Sequence, residues 1–191
     1  MSVQCLKVTL CTLEMTVLVL GIPPDAVVAM PAMEQQPTRT IPTERAPDFE
    51  WTFDTIPAQA LLYRLASGDS NKIHVVGDQS MSKALGLKTG DTPILHGLNT
   101  FGIASRAISH HVGIKSNVFM QRLEGRFSKP VLLNDSLLVK LWETSDNCTA
   151  KQRTIAFVVM NQTRGGVVMD QGFAQLWFDR SDSAVRIASK L

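Results

Sequence analysis

Residues 97–112 read GLNTFGIASRAISHHV, and the reading of that stretch decides the fold. Leu98, Phe101, Ala104, Ile108 and Val112 recur at the three- and four-residue spacing that lines one face of an α-helix. Past Val112 the helical period disappears. Val118–Phe127, Leu137–Glu143, Arg153–Asn161 and Val167–Phe178 are rich in β-branched and aromatic residues. Turn signals separate them at Asn134-Asp135, Ser145–Asn147 and Arg164-Gly165-Gly166. The sequence therefore predicts one principal helix followed by an antiparallel meander. A sheet with one apolar face must cover that face, and a single long helix is the natural filling. The predicted class is α+β, an antiparallel β-sheet wrapped around a central α-helix.

Upstream, Glu50–Thr55 (EWTFDT) alternates as a strand does, and Gln59–Ala66 (QALLYRLA) has helical spacing, with Pro57 before it and Ser67-Gly68 ending it. A loop from Asp69 to His74 follows. Residues 79–86 (QSMSKALG) read as a short helix and Lys88–Thr92 as a turn. Seven of the nine prolines lie between Pro23 and Pro57, which makes that stretch extended or linking. The domain is expected to span residues 48–180. Residues 1–47 would be an extension or linker, or the remnant of a preceding half, and residues 181–191 a tail.

The net charge of +2 is spread over mixed signs, without a basic stripe, which sets nucleic acid aside as a partner. Cys5, Cys11 and Cys148 have no CxxC spacing, so neither a disulfide framework nor a bound metal is expected. Residues 8–20 (VTLCTLEMTVLVL) are too short to span a bilayer comfortably, and Glu14 interrupts them as a signal peptide. Ser189-Lys190-Leu191 reads as a peroxisomal address. Its carboxylate, cation and apolar side chain would be recognised by an import receptor.

Two places carry residue types suited to chemistry. Asp69 and His74 stand five apart in the loop after the first helix; a carboxylate and an imidazole so placed can share acid and base roles around one water. They read equally as a turn residue beside a half-buried imidazole, and spacing alone favours that plainer reading. Pro93-Ile94-Leu95-His96-Gly97 runs into the long helix, whose first N–H groups point along the positive end of its dipole. Gly97 would let a carbonyl approach that backbone closely, although a simple helix start accounts for the spacing as well. His110 and His111 face different ways near the helix end, where they read as surface or capping residues. Met120, Met160 and Met169 read as core filling in strands.

The strings QALLYRLASGDSNKIH (59–74) and PILHGLNTFGIASR (93–106) resemble the paired motifs of the R-specific 2-enoyl-CoA hydratases, the hydratase 2 branch of the MaoC-like hot-dog family. RFSKPV (126–131) and the final strand sequence VMDQGFAQLWF are similar to that family too. The resemblance covers roughly residues 48–178 and implies a hot-dog fold. It further implies that Asp69 and His74 form the dyad of an Asp-x-Asn-x-x-His motif that positions and activates water. Asn71 would shape the loop, and the Gly97 N–H would polarise the thioester carbonyl of an acyl-CoA substrate. The implied reaction is reversible addition of water to a trans-2-enoyl-CoA, giving a (3R)-3-hydroxyacyl-CoA, with no cofactor beyond the coenzyme A of the substrate.

The chain departs from the family pattern at Lys72-Ile73, where Pro-Leu is usual, at Val76, where an Asp is usual, and in the longer spacing from His74 to His96-Gly97. Eukaryotic members usually carry two hot-dog halves, and here the first is absent or reduced to residues 1–47. Single hot-dog members form homodimers with active sites at the interface, so a homodimer is expected. A dehydratase acting on an acyl side chain in secondary metabolism, and an acyl-CoA-binding remnant without turnover, are the competing readings. A hot-dog thioesterase would often carry a carboxylate on the central helix, and residues 97–112 hold no Asp or Glu. Arg106, Lys115, Arg126 and Lys129 are the candidate cations for coenzyme A phosphates, against the plainer reading of solvated surface charge.

Overall fold

The computed structural model of the chain describes residues 12–13, 40–77, 83, 93–113, 118–149 and 151–178. The chain divides into two compact units, Met1–Pro37 and Thr38–Leu191, and the architecture that follows belongs to the second. Its described elements are β1 (Phe49–Asp54), α1 (Gln59–Ser67), a single 3-10 turn (Lys72–His74), α2 (Gly97–Val112), β2 (Val118–Phe127), β3 (Ser136–Thr149), β4 (Gln152–Asn161) and β5 (Val167–Phe178). The strands form one antiparallel sheet in the order β1-β3-β4-β5-β2. Helix α2 lies against β1, β2, β3 and β4. This is the sheet wrapped around a helix that the pattern of residues 97–178 predicts.

The alternation of side chains along the strands explains why the sheet closes on that helix. Leu137, Val139 and Leu141 of β3 and Ile155, Phe157 and Val159 of β4 are fully buried and share one core with Ile103, Ala104, Ala107 and Ile108 of α2. Each buried Ile, Leu or Phe contributes about 1.5–3 kcal/mol relative to exposure. The two alanines add little area, but their small side chains let the helix approach the sheet. Met169 is fully buried, and Met120 is partly buried against the same core.

Two sequence expectations are corrected. On the predicted face of α2, Ala104 and Ile108 are buried and Phe101 and Val112 pack against the same core, but Leu98 is 44% exposed and drops out of it, with Ile103 and Ala107 buried instead alongside. The face that fits the sheet is chosen by contact, and a helix with apolar residues on several sides leaves that choice open in the sequence. The turn expected at Ser145–Asn147 is not made there either. β3 continues to Thr149, which pairs with Gln152, and a register irregularity between Thr144 and Thr149 absorbs the turn-prone residues. The helix expected at 79–86 and the turn at Lys88–Thr92 lie outside the described residues except for Lys83, and so do the cysteines at 5 and 11 and the tripeptide 189–191.

Residues 41–48 pack on the back of the sheet. Ile41 joins Trp142, Ala156, Val158 and Met160 in a second apolar cluster, and the Trp142 indole donates to the Arg45 carbonyl at 3.1 Å. Arg45 holds Asp48 through two hydrogen bonds of 2.8 and 2.9 Å, and the Asp48 carboxylate accepts the Glu143 N–H at 2.7 Å. The same strap of chain that looked like linker in the sequence therefore covers apolar surface on the outer face.

One glycine is forced by the sheet. A Cβ at Gly172 would lie 2.3 Å from the Phe157 carbonyl oxygen, and the preceding Gln171 has φ of 51°, so β5 bends there against β4. No described helix is long and apolar enough to cross a membrane.

Candidate active site

The loop after α1 is built by its own side chains. Gly68 ends the helix in the left-handed conformation, φ 73°, with its N–H on the Arg64 carbonyl. Asp69 Oδ1 then accepts the Asn71 N–H at 2.9 Å, and Asn71 Oδ1 accepts the Ile73 N–H at 3.3 Å. These are two successive turns in which a short polar side chain bonds to the backbone two residues on. They explain in physical terms why Asp and Asn stand two apart, and they lead into the 3-10 turn that delivers His74. Lys72 and Ile73, the residues that depart from the family pattern, form that turn.

His74 is tied to the segment that begins α2. Its Nδ1 lies 2.7 Å from the Ile94 carbonyl oxygen. A carbonyl only accepts, so Nδ1 is the donor in this contact and Nε2 is the ring nitrogen left to face a substrate or water. Ile94 is itself bridged to Leu132, and the Leu95 N–H donates to Val131 at 2.7 Å, which fixes the segment to the sheet side of the molecule.

Asp69, His74 and His96 each offer a ligand-type atom within 4.8 Å of the others. The Asp69 carboxyl is 39% exposed and accessible to water, whereas His96 is 2% exposed. The Asn71 N–H holds the Asp69 carboxyl below its ordinary pKa, with His96 and His74 acting in the same direction. Burial pushes His96 below the ordinary imidazole value, and the neighbouring His74 adds to it. Burial also raises the Tyr63 hydroxyl, and Asp69 contributes. The site thus combines a carboxylate held towards its ionised form with an imidazole whose Nδ1 is committed to the Ile94 carbonyl.

The same three residues are the described cluster with metal-ligand types. Their arrangement suits a metal poorly. His74 and His96 are stacked with ring centroids 3.8 Å apart and planes within 24°, so their in-plane lone pairs run side by side instead of converging on one ion.

Gly97 opens α2 directly after His96, whose carbonyl accepts the N–H groups of Asn99 and Thr100 at 3.0 and 3.3 Å. A Cβ at Gly97 would come within 3.3 Å of the Phe127 ring, so glycine keeps this helix start close to β2. The structure therefore brings Asp69, Asn71 and His74 onto one loop, and the next residue after His96, stacked on that loop, is Gly97. Sequence reasoning passed over His96 and Tyr63, whose ring centroid is 4.6 Å from that of His96. The available signal was the position of His96 beside Gly97, an imidazole inside an otherwise apolar run.

The candidate phosphate-binding cations fare differently. Arg126 is bound to Asp170 by two hydrogen bonds of 2.7 Å, and Arg106 lies over the Trp51 ring at 5.5 Å. The Lys129 ammonium lies against Gly166, and Lys115 is outside the described residues. Of the helix-end histidines, His111 pairs with Glu143 at 3.0 Å and His110 stacks on Trp51, which are structural roles.

Comparison with known proteins follows the same outline. The family described as MaoC like domain matches residues 34–166. A probable enoyl-CoA hydratase 2 of Dictyostelium discoideum is 35% identical over 134 residues, covering 70% of this chain and 42% of that protein. The peroxisomal hydratase-dehydrogenase-epimerase of Saccharomyces cerevisiae is 35% identical over 136 residues, 71% of this chain and 13% of that one. The crystal structure of a MaoC-like dehydratase from Phytophthora capsici superposes with a TM-score of 0.60 at 31% identity, over 77% of this chain and 46% of that chain. The chain spans less than half the length of these relatives. With a matching hot-dog architecture and a family match over most of its length, the chain belongs to the MaoC-like domain family.

Proposed function

We propose that the chain is an R-specific enoyl-CoA hydratase, a lyase that adds water reversibly across the trans-2 double bond of an acyl-CoA thioester. The observation that carries this reading is the pairing of a solvent-accessible Asp69 with a His74 whose Nδ1 is held by the Ile94 carbonyl, stacked on the residue that leads into α2. The Gly97 N–H would stabilise the thioester oxyanion, which makes C3 electrophilic. Water held between Asp69 and His74 adds its oxygen to C3 as its proton leaves to the pair. A proton then returns from that pair to C2, so that one H and one OH are added in all. Dehydration is the same path reversed. The residues named supply every proton transfer, and coenzyme A enters only as part of the substrate.

His74→Ala is expected to lower kcat by about 10²-fold or more while the fold persists, because general base capacity is lost and only a turn residue is altered. Loss of enoyl-thioester ultraviolet absorbance measures this, and chiral analysis of the product reads the R configuration. A folded wild-type protein that turns over no short, medium or branched trans-2-enoyl-CoA would overturn the assignment.

A homodimer accompanies this reading. Leu61, Leu62 and Leu65 of α1 and Leu98 of α2 are exposed and offer apolar surface for a second copy. Light scattering should give twice the 21.0 kDa chain mass, and an active, monodisperse monomer would contradict it. The proposed compartment is the peroxisome. It is supported by relatives whose names place them there.

A further inference from the structure

His96 is buried to 2% exposure, and neither of its ring nitrogens has a hydrogen-bond partner among the described residues. Buried polar atoms are almost always satisfied, so a side chain with both nitrogens unpaired beside a catalytic pair calls for a reason. Two pieces of geometry supply one. First, His96 Nε2 lies 3.8 Å from Asp69 Oδ2, just beyond a hydrogen bond, while the other oxygen of that carboxylate is already held by the Asn71 N–H. Second, the His96 ring packs on His74 with centroids 3.8 Å apart. One residue thus touches both members of the proposed dyad, and its own backbone leads directly into Gly97.

We propose that His96 is a positioning residue: its Nε2–H aims the free oxygen of Asp69, and its ring is the surface on which His74 is held. The inference rests on the hydratase reading for its kinetic consequences and on geometry alone for its structural ones. Burial keeps the ring neutral, with a single N–H, and the facing carboxylate favours that proton on Nε2. The side chain then does not compete for the water proton. It closes on Asp69 Oδ2 by a displacement of under an ångström or so, within the reach of ordinary side-chain motion, leaving that oxygen's second lone pair for water. The titratable and charged groups around this contact are Tyr63 and Arg64 from α1 and Asp69 and His74 from the loop.

The first test uses the wild-type protein. Long-range ¹H–¹⁵N spectra of the histidine rings near neutral pH should show His96 as the Nε2–H tautomer; an Nδ1–H tautomer or an imidazolium overturns the proposal. The second uses His96→Phe, which keeps an aromatic ring in the stack and removes the donor, with His96→Gln restoring an N–H. Titration of the ¹³C-labelled carboxyl groups should show the Asp69 pKa rising by about half a unit or more in His96→Phe and returning towards wild type in His96→Gln. In the kinetics, kcat should drop by about tenfold with KM within about twofold. A folded His96→Phe with an unchanged Asp69 titration reduces His96 to core filling and sinks the idea. Should that variant fail to fold, the wild-type tautomer still decides. Should the wild type turn over no enoyl-CoA, the hydratase reading falls, while the tautomer and the Asp69 titration still judge His96.

Discussion

Asp69→Asn is expected to cut kcat by about 10³-fold and leave the protein folded. Asn keeps an oxygen that can accept the Asn71 N–H, the 2.9 Å bond that forms the first turn of the loop, so the route of the chain to His74 is preserved. What is lost is the negative charge, and with it the acceptor that lies open to water. The amide nitrogen would take the place of Oδ2 and set a donor opposite His96 Nε2 at 3.8 Å. Binding energy from the coenzyme A portion is untouched, so KM should change by no more than about threefold. Turnover by ultraviolet absorbance, with circular dichroism as the control for folding, measures the outcome. A fully active, folded Asp69→Asn would remove the carboxylate from the chemistry and leave it only its turn.

The second large effect concerns stability. Asp135 is 1% exposed, yet every part of it is used. Its Oδ1 accepts from Arg164 Nε at 2.7 Å, and Oδ2 accepts from the Asn161 amide at 2.7 Å and the Leu132 N–H at 2.9 Å. Its carbonyl accepts both the N–H and the hydroxyl of Thr55, at 3.0 and 2.8 Å. One side chain therefore joins the end of β4, the turn after it and the segment before β3, and its backbone anchors the end of β1. Asp135→Ala would leave the Leu132 N–H and the Asn161 amide unpaired in the interior, at a cost of about 3–5 kcal/mol. Against a total stability of about 5–15 kcal/mol that is a large fraction. Arg164, being 47% exposed, can return to water and softens the loss. Asp135→Asn keeps the shape and two acceptors' worth of contact, so it should cost less, about 1–3 kcal/mol. Urea unfolding midpoints of the three proteins test the order; equal midpoints for wild type and Asp135→Ala would show that the network carries no net stability.

The two effects separate because they sit on different links of the same chain. Asp69 is bonded to its own loop and faces water, so altering it changes chemistry with little change in fold. Asp135 lies where three segments converge and faces nothing outside, so altering it changes the fold.

The sequence by itself determined what depends on neighbours a few residues away. The bounds of α2 at Gly97 and Val112, the strands Val118–Phe127 and Val167–Phe178, and the helix ending at Gly68 all follow from periodicity and from residues that cap or break locally. The spacing of Asp69, Asn71 and His74 belongs to the same class, since each turn closes within two residues. The tertiary structure alone decided where the covered face of α2 ends and left Leu98 outside it, carried β3 through Ser145–Asn147 by pairing it with β4, and laid residues 41–48 on the back of the sheet. It alone also set the imidazole of His96 on His74, two residues separated by 22 positions in the chain, and faced it towards Asp69. Local hydrogen bonding is written in short spacings, but burial, ladder register and ring stacking depend on surfaces that meet only after the chain has closed on itself, and no spacing in the sequence records which surfaces those are.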